Sequence, residues 1–223
     1  RAVIVATGAR YRRLPLEGLD RLEGAGVYYE ATDLEARNCA GHQVVVVGGG
    51  NSAGQAALFL AQQGSRVSIA IRRDALEDTM SRYLIARIEA EPTVDVLTGT
   101  QVRGLVGGDR LEQVVIEHTP TGARRTVACS GLFCFIGAEP ATTWLRDVVE
   151  LDGAGFVLTD RELPDAVADG PSFATRAPLP FETSVPGVFA VGDVRHGSLK
   201  RVATAVGEGS SAVRSVHDHL AHV

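Results

Sequence analysis

Lysine is almost missing from this chain: of 22 basic residues only Lys200 is lysine, the rest are arginine, and no basic block occurs anywhere in the 223 residues. The arginine excess reads as a coding bias rather than a binding feature. With 27 acidic residues the net charge is −5 at pH 7. A chain without a cationic block lacks the electrostatic footprint for nucleic acid or an anionic membrane surface, so neither is an expected partner. No run approaches the roughly 20 apolar residues of a membrane-spanning helix. No secretory leader is expected either, since Arg1 leads straight into the strand-like "AVIVATG". Opening on Arg rather than Met, directly on a buried-looking strand, suggests a piece of a longer polypeptide. Cysteine is scarce as well. Cys39, Cys129 and Cys134 cannot all pair, and Cys129 and Cys134 lie in the apolar "TVACSGLFCFIG", where they read as small buried hydrophobes. An odd count fits a reducing cytoplasm, so a cytoplasmic protein is expected.

What is present describes an ordinary globular protein, 45% hydrophobic and 22% charged, long enough for one large domain or two small ones. "AVIVATGA" (2–9) and "VVVVGGG" (44–50) are near-continuous apolar runs, as expected of parallel strands buried on both faces. From Asn51 the period changes: Ala53, Ala56, Ala57, Leu60 and Ala61 recur at helical spacing until Gly64 stops the helix. "RVSIAI" (66–71) predicts the next strand. Residues 76 to 90 predict an amphipathic helix with Met80, Tyr83, Leu84, Ile85 and Ile88 as its apolar stripe. "VDVLTG", "QVRGLVGGDRLEQVVIEH" and "RRTVACSGLFCFIG" together predict an antiparallel meander. Residues 161 to 180 lack periodicity and predict a surface loop, while "VPGVFAVGD" predicts a turn and a buried strand. From about Leu199, a C-terminal helix is expected to bury Val202, Val206, Ala212, Val213, Val216 and Leu220 along one face.

Gly48, Gly50 and Ala53 form G-x-G-x-x-A at a strand-to-helix junction. Gly48 would permit a tight turn, Gly50 would let the backbone approach a pyrophosphate, and Ala53 would keep the helix close to the strand. Residues Gly48, Gly49, Gly50, Asn51, Ser52 and Ala53 are therefore candidate nucleotide-binding positions. The alternative is a glycine-rich turn that holds no nucleotide. About 20 residues on, where an NAD site carries Asp or Glu, the chain reads "SIAIRRD". The cationic forks of Arg72 and Arg73 suit a ribose 2′-phosphate, favouring NADPH over NADH; the alternative is two solvated arginines at a strand end.

Taken in order, "AVIVATGA", "VVVVGGGNSA", "IRRD", "GLFCFIGAEPATTWL" and "TSVPGVFAVGDV" resemble thioredoxin reductases and related FAD-dependent pyridine nucleotide oxidoreductases over essentially the whole chain. The resemblance implies an α/β protein in which a Rossmann-like, three-layer ββα NADPH-binding domain (26–140) is inserted into an FAD-binding domain of the same type (1–25 and 141–223). It implies that Gly192 and Asp193 hold the ribityl chain of FAD, that Arg201, Val202 and Ala203 meet the flavin ring, and that Ile136 and Gly137 belong to the cofactor sites. The plainer alternative for Asp193 is a turn cap.

Two departures from the family qualify this. Its FAD fingerprint, a G-x-G-x-x-G near the N-terminus, is not in the sequence, so the FAD domain is expected to be incomplete and the fragment alone inactive. Where thioredoxin reductases carry Cys-Ala-Thr-Cys, this chain has Glu30-Ala31-Thr32-Asp33. Carboxylates cannot perform thiol–disulfide exchange, so no internal dithiol is expected. Glu30 and Asp33 could relay protons near a flavin; the alternative is an acid-rich helix start capped by Thr32 or Asp33. His217, His219 and His222 suggest a metal, but i, i+2 positions do not share a helical face; a frayed, solvated terminus and no metal are expected. The resemblance implies hydride transfer from NADPH to FAD and on to a small-molecule or protein acceptor (ferredoxin, quinone, oxygen or a partner's disulfide), as in dithiol-free ferredoxin–NADP reductases. A homodimer is usual among such enzymes. The other function class is an NADPH-binding sensor that catalyses nothing.

Overall fold

The computed structural model describes residues 1–221, so His222 lies outside it. The chain divides into two compact units, one made of residues 1–12 with the segment from Ala138 onward, the other of Arg13–Gly137. The first unit opens with β1 (Val3–Val5) and β2 (Ala9–Tyr11). Residues 13–25, expected outside the nucleotide-binding domain, pack with the second unit, because the short helix α1 (Leu19–Leu22) buries Leu19 and Leu22 in that unit's core.

The second unit continues with β3 (Val27–Tyr28), α2 (Asp33–Cys39), β4 (Gln43–Val47), α3 (Asn51–Gln62), β5 (Arg66–Ala70) and α4 (Arg82–Glu89). The strands β6 (Val94–Leu97), β7 (Thr100–Val106), β8 (Gln113–His118), β9 (Ala123–Ala128) and β10 (Gly131–Cys134) follow. Five strands form a parallel sheet in the order β3-β10-β4-β5-β6. Alternation along each strand divides its side chains between two cores. Val44, Val46, Val67, Ile69 and Phe133 face α2, α3 and α4, whereas Val45, Val47, Ala70, Leu132 and Cys134 face the antiparallel sheet β7-β8-β9. The result is the three-layer ββα arrangement. The expected meander was too inclusive: "VDVLTG" and "GLFC" supply the parallel strands β6 and β10, since every residue of β10 is buried between two layers. Helix α4 begins at Arg82 rather than at 76, and Tyr83 leaves its stripe at 68% exposed, while Met80, Leu84, Ile85 and Ile88 stay buried.

In the first unit, β11 (Ala138–Pro140) pairs antiparallel with β2, and β12 (Val188–Ala190) pairs parallel with β1. Between them lie one-turn helices, including α5 (Asp165–Ala168), and the long α6 (Val202–Ala221) follows. The expected loop over 161–180 is thus partly helical, with Leu163 and Phe173 buried. The core gathers Val5, Leu145, Val149, Val157, Ala190 and Val194. Strand β1 is not buried on both faces: Val3 and Ile4 are exposed, in a sheet of two strands. Helix α6 keeps only part of the expected face: Ala212 is buried and Val216 half-buried, but Val202, Val206, Val213 and Leu220 are exposed. Its inner side also holds Glu208, Ser215 and His219, of which Glu208 and His219 are engaged by polar partners. His219 is accordingly not solvated. Its ring stands edge-on to Phe189 and lies 3.2 Å from the Arg176 guanidinium. That arginine forks onto Glu182, a fully buried carboxylate that also accepts the N–H groups of Leu179 and Gly187. No helix among the described residues is long and apolar enough to cross a membrane.

Candidate functional site

The β4–α3 junction is shaped by contacts that exclude side chains. Gly48 stands at φ 137°, and a Cβ there would lie 2.3 Å from the Phe135 carbonyl oxygen and 3.4 Å from the Ala53 Cβ. Only glycine combines that dihedral with that approach. Ala53 is fully buried, which seats α3 tightly on the strand. Gly50 forms the N-cap without a side chain, no acidic residue occupies the first turn, and Asn51 and Ser52 are exposed. The leading N–H groups of a 12-residue helix therefore lack both a side-chain cap and an acidic residue in their own first turn. At Gly50 a Cβ would meet nothing closer than 3.9 Å, so its absence leaves space at the helix mouth. These features fit a bound phosphate.

The segment between β5 and α4 folds over this junction. The Thr79 hydroxyl donates to the Gly49 carbonyl at 2.8 Å, and the Ser81 N–H donates to Asn51 Oδ1 at 2.8 Å. Gly54 admits Met80, whose Sδ would lie 2.8 Å from a Cβ at that position. Thr79, Met80, Ser81 and Gly54 are missing from the sequence-based site, because reading 76–90 as one helix hid a strap; helix-capping chemistry at Ser81 was the available signal. Asn51 spends its side-chain oxygen on that strap.

Arg72 and Arg73 follow β5 at the same end of the sheet, next to the glycine turn, since Val47 pairs with Ala70. Both are exposed; Arg73 lies 3.7 Å from Asp78, an open pair of little strength, and Arg72 has no partner among the described residues. Ile136 and Gly137 leave β10, the strand on the other side of β4, with Gly137 at φ 96°. The nucleotide-binding candidates of this unit are thus brought to the carboxyl ends of neighbouring parallel strands, where open α/β sheets take ligands.

In the first unit, β12 runs into Gly192 (φ 71°) and Asp193. Asp193 is half-buried, and its carboxylate has no hydrogen bond or ion pair among the described residues. A capping role would have engaged it. An unspent carboxylate at the end of a buried strand suits a ligand hydroxyl. Arg201, Val202 and Ala203 lie exposed at the start of α6, and the Arg201 guanidinium donates to the Lys200 carbonyl at 3.0 Å.

At the position of the family's dithiol, Thr32 caps α2 and shares a capping box with Glu35. Burial opposes ionisation of Glu35, yet hydrogen bonds from the Thr32 hydroxyl and the N–H groups of Glu35 and Thr32 hold its carboxyl below the ordinary value. Glu30 and Asp33 are exposed. Cys39 ends the helix buried, and burial raises its thiol pKa. Burial pushes Cys129 and Cys134 up to about 12. None of the three thiols is a poised nucleophile.

The profile of one family, described as pyridine nucleotide-disulphide oxidoreductase, matches residues 1–209. A "34.2 kDa protein in rubredoxin operon" from Clostridium pasteurianum is 32% identical over 220 residues, covering 99% of this chain and 65% of the relative. A thioredoxin reductase from Treponema pallidum is 32% identical over 219 residues, covering 98% of this chain and 64% of its own length. The solved structure of a thioredoxin reductase from Streptococcus pyogenes is similar at TM-score 0.76 and 32% identity, over 100% of this chain and 66% of that one. The chain thus spans somewhat under two thirds of the curated relatives it matches.

Proposed function

The chain belongs to the pyridine nucleotide-disulphide oxidoreductase family, and we propose that its Arg13–Gly137 unit is the NADPH-binding domain and that residues 1–12 with the segment from Ala138 onward form part of the FAD-binding domain of a cytoplasmic flavoprotein oxidoreductase. In this reading reducing equivalents pass from NADPH through FAD to an external acceptor such as a ferredoxin, a quinone, oxygen or a partner's disulfide, without an internal dithiol. Hydride transfer is the chemistry the cofactors supply; this chain's residues bind and orient them. The uncapped, acid-free start of α3 would receive the dinucleotide pyrophosphate, with Gly48 and Gly50 keeping the approach clear. Arg72 and Arg73 would fork onto the ribose 2′-phosphate. Asp193 would accept a hydrogen bond from a flavin ribityl hydroxyl, with Arg201, Val202 and Ala203 lying toward the ring. The relatives named as thioredoxin reductases suggest a protein partner, but Glu30 and Asp33 offer no sulfur to exchange.

The observation that carries the reading is the helix mouth of α3 beside two weakly engaged arginines. The free Asp193 carboxylate favours a flavoenzyme over an NADPH sensor, which needs no such group. In the natural full-length protein, a yellow chromophore should bleach when NADPH is added anaerobically. Colourless full-length protein that still binds NADPH would leave the sensor instead. Arg72→Ala with Arg73→Ala should weaken NADPH binding by about tenfold or more while leaving NADH nearly unchanged; equal losses overturn the 2′-phosphate assignment.

A further inference from the structure

Glu208 is a carboxylate on the inner face of α6 that the site described above does not use. It is 8% exposed, and both oxygens are engaged. Oε2 accepts the Gly192 N–H at 2.7 Å and the Arg195 Nε–H at 3.3 Å, while Oε1 accepts from the other arm of the Arg195 guanidinium at 2.6 Å. The same guanidinium donates to the His196 carbonyl at 2.8 Å and lies 5.4 Å from the centre of the Phe181 ring. One ion pair therefore grips the turn Gly192–Asp193–Val194 at its entrance and at its exit. Between the two grips sits Asp193, the one carboxylate of this group left unspent. Gly192 adopts φ 71°, and a Cβ there would press on the Ala205 Cβ at 3.3 Å, so the turn has little freedom against α6.

We infer that the Arg195–Glu208 pair is a positioning device for flavin binding: it fixes the Gly192–Asp193 turn against α6 so that the Asp193 carboxylate faces a cofactor hydroxyl. This rests on the reading of Asp193 given above and adds residues that touch no cofactor. A buried ion pair is a costly way to stabilise a fold, since apolar residues of the same volume do as well or better. Its use here is geometric. The Gly192 N–H needs an acceptor at the point where the strand ends, and only an ionised Glu208 serves that N–H and the Arg195 fork together. Burial opposes ionisation of Glu208, but hydrogen bonds from Arg195 and the Gly192 N–H outweigh it and hold the carboxyl below the ordinary glutamate range.

The test is a cycle of flavin affinities, measured by fluorescence titration of apoprotein prepared from the natural full-length chain, with thermal melting of the apo form alongside. Asp193→Ala and Glu208→Gln should each weaken FAD by about tenfold, the scale of a lost charged hydrogen bond. The double variant should be no weaker than Asp193→Ala alone, because Glu208 acts through Asp193. Additive losses, or unchanged affinity in Glu208→Gln, overturn the inference. If Asp193→Ala itself leaves the affinity unchanged, the flavin assignment of Asp193 fails instead. Arg195→Met with Glu208→Leu guards against loss of folding. It should melt as the parent does yet bind FAD as weakly as Glu208→Gln, and parental affinity in that variant sinks the proposal.

Discussion

Helix α3 buries Ala53, Ala56, Ala57, Leu58 and Leu60, whereas α6 buries Glu208, Ala212, Ser215 and His219 and turns Val202, Val206, Val213 and Leu220 outward. Both helices follow a parallel strand and a left-handed glycine, Gly48 or Gly192. They are attached by different physics. Helix α3 is seated by steric fit, a small residue against a backbone carbonyl and an apolar face against a sheet. Helix α6 is seated by charge and hydrogen bonding, through Glu208 to the Gly192 turn and through His219 beside the Arg176–Glu182 pair. An apolar stripe marks the buried face only where burial itself is what fastens the helix.

The sharpest way to break the comparison lies at the first glycine. Gly48→Ala should destabilise the nucleotide-binding unit by about 4 kcal/mol, combining overpacking against Phe135 with a strained left-handed dihedral. Thermal melting and NADPH titration should both register it, and a variant with parental melting would show that the strand and helix can separate. The next largest contrast is between side chains. Leu60→Ala, at a fully buried position, should cost about 2–5 kcal/mol, while Val206→Ala on α6 should stay within about 0.5 kcal/mol. Chemical denaturation of both variants checks this, and comparable losses would mean that the valine face of α6 is covered in solution.

Acid provides a finer separation. Burial opposes ionisation of Glu182 and Glu208, but hydrogen bonds from Arg176 and Arg195 respectively hold both carboxyls below the ordinary glutamate value of 4.5. A lowered folded pKa means that the stabilisation is fully present above pH 4.5 and disappears as pH falls through the lower folded value. The melting temperature of the unit holding α6 should therefore fall below that pH, and Glu208→Gln should flatten the slope. An unchanged slope would assign the acid sensitivity to Glu182 and to Asp152, whose carboxyl is also lowered, burial opposing and His196 favouring its ionisation.

The same contrast explains what could be read from the sequence. The β4–α3 turn, the arginines after β5 and the buried β12 were legible because each depends on local spacing: a glycine pair after four valines, cations after a strand, an apolar run before Gly-Asp. The strap over the glycine turn was not, since Thr79 and Ser81 act through one hydroxyl and one backbone N–H on residues some thirty positions earlier. Residues 76–90 imitated a continuous helix because Leu76 and Met80 are buried in the same core as Leu84, Ile85 and Ile88. Glu208 was invisible for the opposite reason, a charge whose partner Arg195 lies 13 positions away across a turn. The boundary at Arg13 was missed because α1 is only four residues long and carries too little pattern to declare where it packs.

The strap also has a practical consequence. Met80 is the chain's single methionine, and it presses into the notch left by Gly54 on α3, between the two residues that fasten the strap to the glycine turn. In a protein made of residues 1–223, a carbon-13 label on its terminal methyl would give a single resonance reporting on the strap where it meets α3, and so on the arrival of a nucleotide at the helix mouth.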